Sequence, residues 1–314
     1  MNYTHISGMS KHRAYCPTCG YDTEESCDST GTDGTCSKCG YNDAEGSETN
    51  PYLISTADDL KKLAAAVNSG ENQAGKYYKL TEDLELPGNF EPIGRYMGNP
   101  VYADYAFAGN FDGAGHTVTV NITDRTGSNA RVGLFGSVKG TDQSQPAVIK
   151  NLTVRGTVLS QKGGQCVAGL AGVAENARIE NCGNMASVTN MQSNVCAGGL
   201  IGRVSGNVTI SGCFNTGTIV ADGTAGGLVG SLEKGNNRLE HSYNVGSLTN
   251  TNDQGGAVGG LIGNAGNLSI DIIDCYAGNT EQYVGLGTGG LIGTPSQSMT
   301  ITSCFWQENQ RGPE

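Results

Sequence analysis

The sequence predicts an all-β fold, a parallel solenoid of short strands that is entered through one helix and preceded by a small cysteine-rich module. Three observations lead to this prediction: a glycine-rich composition, a repeat of roughly 30 residues, and paired cysteines near the start of the chain. Glycine supplies 49 of 314 residues against 8 prolines, without an every-third-residue period, which excludes collagen and indicates a folded, turn-rich chain.

The repeat is marked by a Gly-Leu-apolar-Gly element that recurs six times. Its leucines lie 36, 30, 28, 33 and 30 residues apart, at Leu134, Leu170, Leu200, Leu228, Leu261 and Leu291. A unit with two or three short strands cannot bury its apolar face alone, so the units are expected to stack as coils about 4.8 Å apart. We therefore expect each of these leucines to point into the core.

A second column of residues keeps step with the leucines, at Leu152, Cys182, Cys213, Ser242, Cys275 and Cys304. Such small side chains fit a tight interior corner, where cysteine behaves as a small hydrophobe. Cys166 and Cys196 belong to a third column, each four residues before its leucine. Two small core residues are the favoured interpretation there, and a disulfide between adjacent coils is the alternative.

Aromatic residues directly follow the second column in four units, at Phe214, Tyr243, Tyr276 and Phe305. We expect this aromatic column to face the core. The alternative is an exposed stack of rings that faces sugars.

The solenoid is expected to begin with a helix over residues 56–69. Ser55 and Thr56 provide a cap, Asp58 and Asp59 lie in the first turn, and apolar residues recur at helical spacing. Tyr77–Thr81 and Asp83–Leu86 then have the pattern of short strands, and a turn around Asp112 to His116 leads into a further strand.

The cysteine-rich module contains two Cys-x2-Cys-Gly turns, formed by Cys16 with Cys19 and by Cys36 with Cys39. This spacing is typical of paired knuckles that present four thiolates to one tetrahedral zinc ion, in a closed and hence structural site. One or two disulfides are the alternative, with Cys27 as a spare thiol. His12 is a candidate to replace one zinc ligand.

These patterns divide the chain into four segments. Residues 1–13 are expected to be a disordered or vector-derived N-terminus, 14–42 the zinc-ribbon-like module, 43–51 a polar linker and 52–314 the solenoid.

Composition also bounds the partners. A net charge of −11 disfavours nucleic acid, whose phosphates require clustered lysine and arginine. No long apolar run predicts a membrane span, and no signal peptide is visible at the N-terminus. We expect a monomeric rod that is not inserted in a membrane.

An enzyme of the polysaccharide lyase or glycoside hydrolase kind needs carboxylates that converge on one face. Acidic residues of the repeats, such as Glu180 and Glu240, lie at different offsets from their leucines, so no carboxylate column is expected. Asp112 and His116 are the best local pair, and we interpret them as parts of a tight turn. We therefore expect no catalytic residues in this chain.

In its repeated Gly-Leu-apolar-Gly element and the segments around it, from about Pro51 to Trp306, the chain resembles bacterial GLUG-motif repeat proteins. Such repeats occur in large secreted or surface-attached proteins such as adhesins. The resemblance implies a right-handed parallel β-helix that serves as a stalk, spacer or binding surface outside the cell. A glycan or a protein of a host or neighbouring cell would then be the partner. The cysteine module is similar to the small zinc ribbons of bacterial multidomain proteins.

Overall fold

A computed structural model of the chain describes residues 1–5, 11–26, 38–39, 46–88, 90–95, 105–124, 130–161, 164–193, 195–252, 255–266, 268–278 and 288–307. The chain divides into two compact units, Met1–Tyr52 and Leu53–Glu314. The division lies one residue from the predicted start of the solenoid.

The first unit contains an antiparallel sheet of the strands Asn2–His5, Lys11–Tyr15 and Asp22–Ser26. Parts of the range 1–13 thus lie in strands, so disorder does not describe these residues, and a vector-derived origin of the range stays a prediction. His12, which pairs with both neighbouring strands, is fully buried, and its Nε2 lies 3.3 Å from Glu25 Oε2. A buried polar ring with a carboxylate partner anchors the central strand.

The second unit begins with the predicted helix, which extends over Ala57–Asn68. Thr56 is its N-cap: the hydroxyl accepts a hydrogen bond from Asp59 N at 3.1 Å, and Asp59 Oδ2 accepts one from Thr56 N at 3.1 Å. This reciprocal pair is a capping box and satisfies two backbone N–H groups that the helix cannot. The apolar face is buried through Leu60, Leu63 and Val67.

The rest of the second unit is a parallel β-solenoid, which confirms the predicted fold class. Each complete coil passes through four faces in the same order. In the described residues, the first face consists of the strands Tyr52–Ile54, Tyr77–Leu80, Asn110–Asp112, Ala147–Lys150, Ala177–Glu180, Val208–Ser211, Asn236–Glu240, Ser269–Ile273 and Ser298–Thr302. The second face consists of Leu84–Glu85, Thr117–Asp124, Thr153–Ser160, Gly183–Asn184, Ser187–Asn190, Phe214–Asn215, Ile219–Ala221, Tyr243–Asn244, Leu248–Asn250, Tyr276–Ala277 and Phe305–Trp306.

The third and fourth faces are shorter, and the Gly-Leu step of the repeated element forms the corner between them. The third face consists of Ala130–Val132, Gly164–Ala168, Cys196–Gly198, Thr224–Gly226, Val258–Gly259 and Thr288–Gly289. The fourth consists of Phe135–Lys139, Ala171–Glu175, Ile201–Val204, Val229–Leu232, Ile262–Asn264 and Ile292–Thr294. All six corner leucines are buried, at most 6% exposed, as predicted.

Coils of different length stay in register. On the first face, Ile149 pairs with Ile179, then Ile210, Leu239 and Ile272 in successive coils. Residues that make a coil longer or shorter lie in two places: between the second and third faces, as at 222–223 and 251–257, and between the fourth and first faces, as at 140–146 and 176. The apolar ladders are therefore continuous although the repeat length changes.

The corner between the first and second faces requires a left-handed residue in each coil. The residues with φ of +48° to +64° at this corner are Asn151, Asn181, Gly212, His241, Asp274 and Ser303. The small second column follows directly, and its members Cys182, Cys213, Ser242 and Cys275 are buried. At this corner a left-handed residue is thus followed by a buried side chain, which is small in four of the coils.

An internal asparagine ladder, which the sequence analysis did not anticipate, lies two residues beyond this corner. Asn184 Nδ2 donates to Asn215 Oδ1 at 2.7 Å, and Asn215 Nδ2 donates to Asn244 Oδ1 at 2.7 Å. All three side chains are fully buried, and each also bonds the backbone two residues ahead. Because every amide is satisfied, the ladder is compatible with an otherwise apolar interior.

Within the described ranges, the helix Ala57–Asn68 is too short to cross a bilayer and no other helix qualifies.

Candidate functional site

The most prominent candidate site is the aromatic row, which we define as Phe214, Tyr243, Tyr276 and Phe305. These residues occupy one register position in four successive coils of the second face. Tyr243 and Tyr276 are each 41% exposed and Phe305 is 67% exposed, while Phe214 is half-buried. The expectation that this column faces the core is therefore wrong.

The reversal follows from strand alternation. Cys213 points inward from the corner, so the next residue, Phe214, points outward, and Asn215 points inward again. The same pattern recurs around Tyr243. The asparagine ladder and the aromatic row are thus opposite faces of one set of two-residue strands.

Glycines let two rings of the row lie against the backbone. A Cβ on Gly183 would lie 2.2 Å from Phe214 Cζ, and one on Gly278 would lie 2.5 Å from Tyr276 Oη. Phe214 and Tyr243 are stacked, with ring centroids 5.7 Å apart and planes 14° apart. These contacts fix ring orientation while solvent still reaches the tyrosines.

Polar groups flank the row on its corner side. His241 and Asp274 each precede a tyrosine of the row by two residues, and His241 Nε2 lies 3.4 Å from Asp274 Oδ2. Both side chains are exposed. On the other side, exposed Met185 and Val245 broaden the apolar strip. The surface therefore combines exposed rings with hydrogen-bonding groups at one edge.

Carboxylates of the first face are more ordered than the sequence indicated. Glu180 and Glu240 share one register column, with Ser211 between them, so the expectation that these acids form no column is wrong for this pair. Each pairs with the arginine two residues earlier, Arg178 or Arg238. The hydrogen bond from Arg238 lowers the pKa of Glu240. A glycosidase general acid needs the opposite, a raised pKa.

Asp112 and His116 do not pair with each other. Asp112 Oδ1 accepts hydrogen bonds from Ala114 N at 2.8 Å and Asn151 Nδ2 at 3.0 Å, whereas His116 Nδ1 lies 3.3 Å from Asp83 Oδ1. The interpretation of these residues as parts of a turn fits these contacts.

The solenoid cysteines occupy the interior. Cys182 and Cys213 are buried and donate Sγ–H to backbone carbonyls of their own and neighbouring coils. Burial raises the pKa of Cys275 to about 12 and also raises that of Cys182. Cys166 and Cys196 pair in register as buried free thiols, in line with the favoured interpretation as core residues.

The predicted zinc ligands are only partly within the described residues. Cys16 and Cys19 form a tight turn in which Gly20 N donates to Cys16 O at 2.9 Å and Gly20 has φ of +72°. Cys39 is half-buried, while Cys36 and Cys27 lie outside the described residues. The residues that are described contain no group of three or more metal-ligating side chains. The four-thiolate site stays a prediction.

Comparison with curated proteins finds relatives that are much longer than this chain. It is 29% identical to "Halomucin" of Haloquadratum walsbyi in an alignment of 216 residues that covers 65% of this chain and 2% of that protein. It is 29% identical to a "Putative Gly-rich membrane protein" of Evansella cellulosilytica over 143 residues, 43% of this chain and 15% of that protein. No protein-family model matches, so the resemblance to GLUG-motif proteins stays a prediction.

Among solved structures, the chain is similar to the crystal structure of a "putative immunoglobulin A1 protease" from Bacteroides ovatus. The superposition has a TM-score of 0.56 and covers 82% of this chain and 85% of that chain, at 18% sequence identity. Identity at this level supports a common fold and carries no residue roles.

Proposed function

We propose that this chain is a non-enzymatic, surface-exposed structural and adhesive segment, a stalk or binding scaffold within a larger extracellular protein. The observation that carries the proposal is the continuous register of the first face, in which equivalent residues pair through successive units from Ile149 to Ile272. Each unit contacts its neighbours along the solenoid, so units add length at about 4.8 Å per coil. A spacer needs this property.

One further observation supports a location outside the cell, and another supports an adhesive role. The relatives include one named "Halomucin" and one named a Gly-rich membrane protein, and this chain corresponds to a small share of each. The second unit also carries a row of exposed aromatic side chains, which a pure spacer does not need. The adhesive part of the proposal rests on that row.

The location is tested by labelling intact cells of the native host with an antibody raised against residues 53–307. We expect labelling before permeabilisation, and loss of the signal after brief treatment of intact cells with protease. An antibody against a cytoplasmic protein is the control and should label permeabilised cells alone. Solenoid signal that requires permeabilisation would contradict the proposal.

A carbohydrate-active enzyme is the alternative, since parallel β-helices also host lyases and hydrolases. Glu180 and Glu240 are its best candidates, because they lie two coils apart in one column, or about 9.6 Å. Their arginine partners and the lowered pKa of Glu240 argue against a general acid. Release of reducing ends from polysaccharides by the wild type, abolished in Glu240→Gln, would favour the enzyme. Release of acid-soluble peptides from casein tests for a peptidase.

We also propose that Cys16, Cys19, Cys36 and Cys39 hold a structural zinc ion. The knuckle-like turn at Cys16 to Gly20 supports the proposal. Four thiolates leave no open position on the metal, so the ion would stabilise the first unit and take no part in a reaction.

A further inference from the structure

We propose that the aromatic row of Phe214, Tyr243, Tyr276 and Phe305 binds a neutral linear polysaccharide along the solenoid. This inference deepens the proposed function, because it names the partner of the adhesive segment.

The rings of the row repeat at the spacing of the coils. Successive members are direct register partners, so they repeat once per coil, about every 4.8 Å. A pyranose unit in an extended glycan has a comparable length. A linear polymer can therefore present a similar contact to each coil in turn.

The surface of the row combines the two kinds of group that recognise a sugar ring. A pyranose ring has apolar C–H faces and a rim of hydroxyl groups, so it is recognised by an aromatic face with hydrogen-bonding groups beside it. Tyr243 and Tyr276 provide exposed rings, and His241 and Asp274 lie at the edge of the row. Rings with a few polar groups at fixed positions are the usual composition of a ligand site.

The rings of the row are held by contacts within the protein. Tyr243 is stacked on Phe214, and the glycines 183 and 278 leave room for Phe214 and Tyr276 to lie against the backbone. Side chains that are already ordered lose little conformational entropy on binding. The row is thus preorganised for a contact that individual exposed tyrosines would make weakly.

The charge of the chain disfavours anionic polymers as occupants of the row. The chain has a net charge of −11, and Asp274 adjoins the row. Nucleic acids and acidic polysaccharides are repelled by such a surface. A neutral chain pays no such cost.

The area of the row is too small for a second copy of the protein. The row extends over three coil spacings, about 14 Å, and with a width of about 10 Å it offers roughly 140 Å². A stable protein interface buries about 800 Å² on each partner. A narrow, long strip of this size fits a single polymer strand better than a protein surface.

The experiment measures binding of the purified full chain to insoluble cellulose, chitin, mannan and curdlan in a pull-down assay. Soluble hexasaccharides of the retained polymer are then titrated while the fluorescence of the single tryptophan, Trp306 beside Phe305, is followed. We expect at least one neutral polymer to retain the wild type. The double substitution Tyr243→Ala with Tyr276→Ala should lower the affinity roughly tenfold or more.

Three variants separate binding from folding. Tyr243→Phe with Tyr276→Phe keeps both rings and should bind within about threefold of the wild type, because the faces carry the contact. Tyr15→Ala removes an exposed aromatic side chain of the first unit and should leave binding unchanged. Circular dichroism and thermal melting check that the double alanine variant is folded; if it is not, Tyr276→Ala alone is tested against Tyr276→Phe.

The inference is overturned if no neutral polymer retains the wild type, or if the folded alanine variant binds equally well. Retention on polygalacturonate alone would also overturn it, as would a dimer in sedimentation that the alanine substitutions dissociate. Its failure is distinct from that of the proposed function: surface labelling without glycan binding removes the inference alone. Glycan binding by a protein absent from the cell surface removes the proposed location and leaves the binding site.

Discussion

Gly199 lies directly against the side chain of Asn215, so that a Cβ at position 199 would fall 2.6 Å from Asn215 Cγ and 2.3 Å from Gly227 O. The first glycine of the repeated element and the buried asparagine of the next corner therefore share one space. The same relationship joins Gly169 to Asn184 and Gly227 to Asn244. The backbone of Gly199 is not left-handed, so glycine is required here because there is no space for a side chain.

Replacing Gly199 by alanine is expected to destabilise the solenoid by about 1–3 kcal/mol, because the added methyl group must displace both a buried amide and a neighbouring backbone carbonyl. Urea denaturation followed by circular dichroism measures the change. Gly255→Ala is the matched control, since a Cβ there meets nothing within 4 Å. Equal midpoints for the two variants would show that the glycine–asparagine contact is not restrictive.

Asn215→Ala is expected to cost roughly 2–4 kcal/mol, because Gly217 N loses its buried acceptor and Asn184 Nδ2 loses one of its two bonds. Thermal melting of the purified chain measures the loss. A change below about 0.5 kcal/mol would mean that the ladder adds nothing to stability.

Asn215→Asp tests the same position through pH. The new carboxylate oxygen would face the carbonyl oxygens of Gly217 and Asn244, which accept from Nδ2 in the wild type. Burial raises the pKa of such an acid above the unfolded value of about 3.9, so the variant gains stability as pH falls and loses it as pH rises. Thr216→Asp places the same acid on the exposed neighbouring residue and should be nearly insensitive to pH.

The corner thiols are expected to resist alkylation in the folded chain. Burial raises the pKa of Cys275 from 9.0 to about 12, so folding favours its protonated form. This contribution to stability is complete below pH 9 and declines as the pH rises towards 12. Cys275→Ser, which copies Ser242 of the preceding unit, should flatten the alkaline loss of stability. Iodoacetamide at pH 8 should modify Cys19 before Cys275 when zinc has been removed, as peptide mass spectrometry would detect.

The zinc prediction is tested by native mass spectrometry and elemental analysis of protein purified without added zinc. We expect about one zinc ion per chain, lost in Cys16→Ser and in Cys36→Ser and retained in Cys166→Ser. Absence of zinc together with thiols missing in pairs would replace the ribbon with disulfides.

Much of the fold was predictable because burial in a solenoid repeats along the chain. The corner leucines, the small residues at Cys182 and Cys213, and the capped helix are all marked by local pattern. The asparagine ladder was not predicted, since asparagine is depleted in strands and Asn184 and Asn215 resemble turn residues. Their satisfied amides become apparent only when adjacent coils are placed in register.

The predicted orientation of the aromatic row was wrong for a related reason. Aromatic side chains usually contribute to a core, and the prediction followed this tendency. Because side chains alternate along a strand, however, a buried Cys213 requires that Phe214 point outward. The strand alternation, taken from the buried corner residue Cys213, places the ring of Phe214 in solvent. The zinc site depends on Cys36, which lies outside the described residues.

Segments of different length join the second and third faces, as at 222–223 and 251–257, and the fourth and first faces, as at 140–146 and 176. On the first face the ladder from Ile149 to Ile272 stays in register past these changes. These two edges can thus accept insertions and deletions during evolution while selection maintains the first face, and homologous chains should diverge in length there first. For engineering, they are the places to graft a foreign peptide, such as an epitope in place of residues 141–145, on a scaffold whose stability comes from elsewhere.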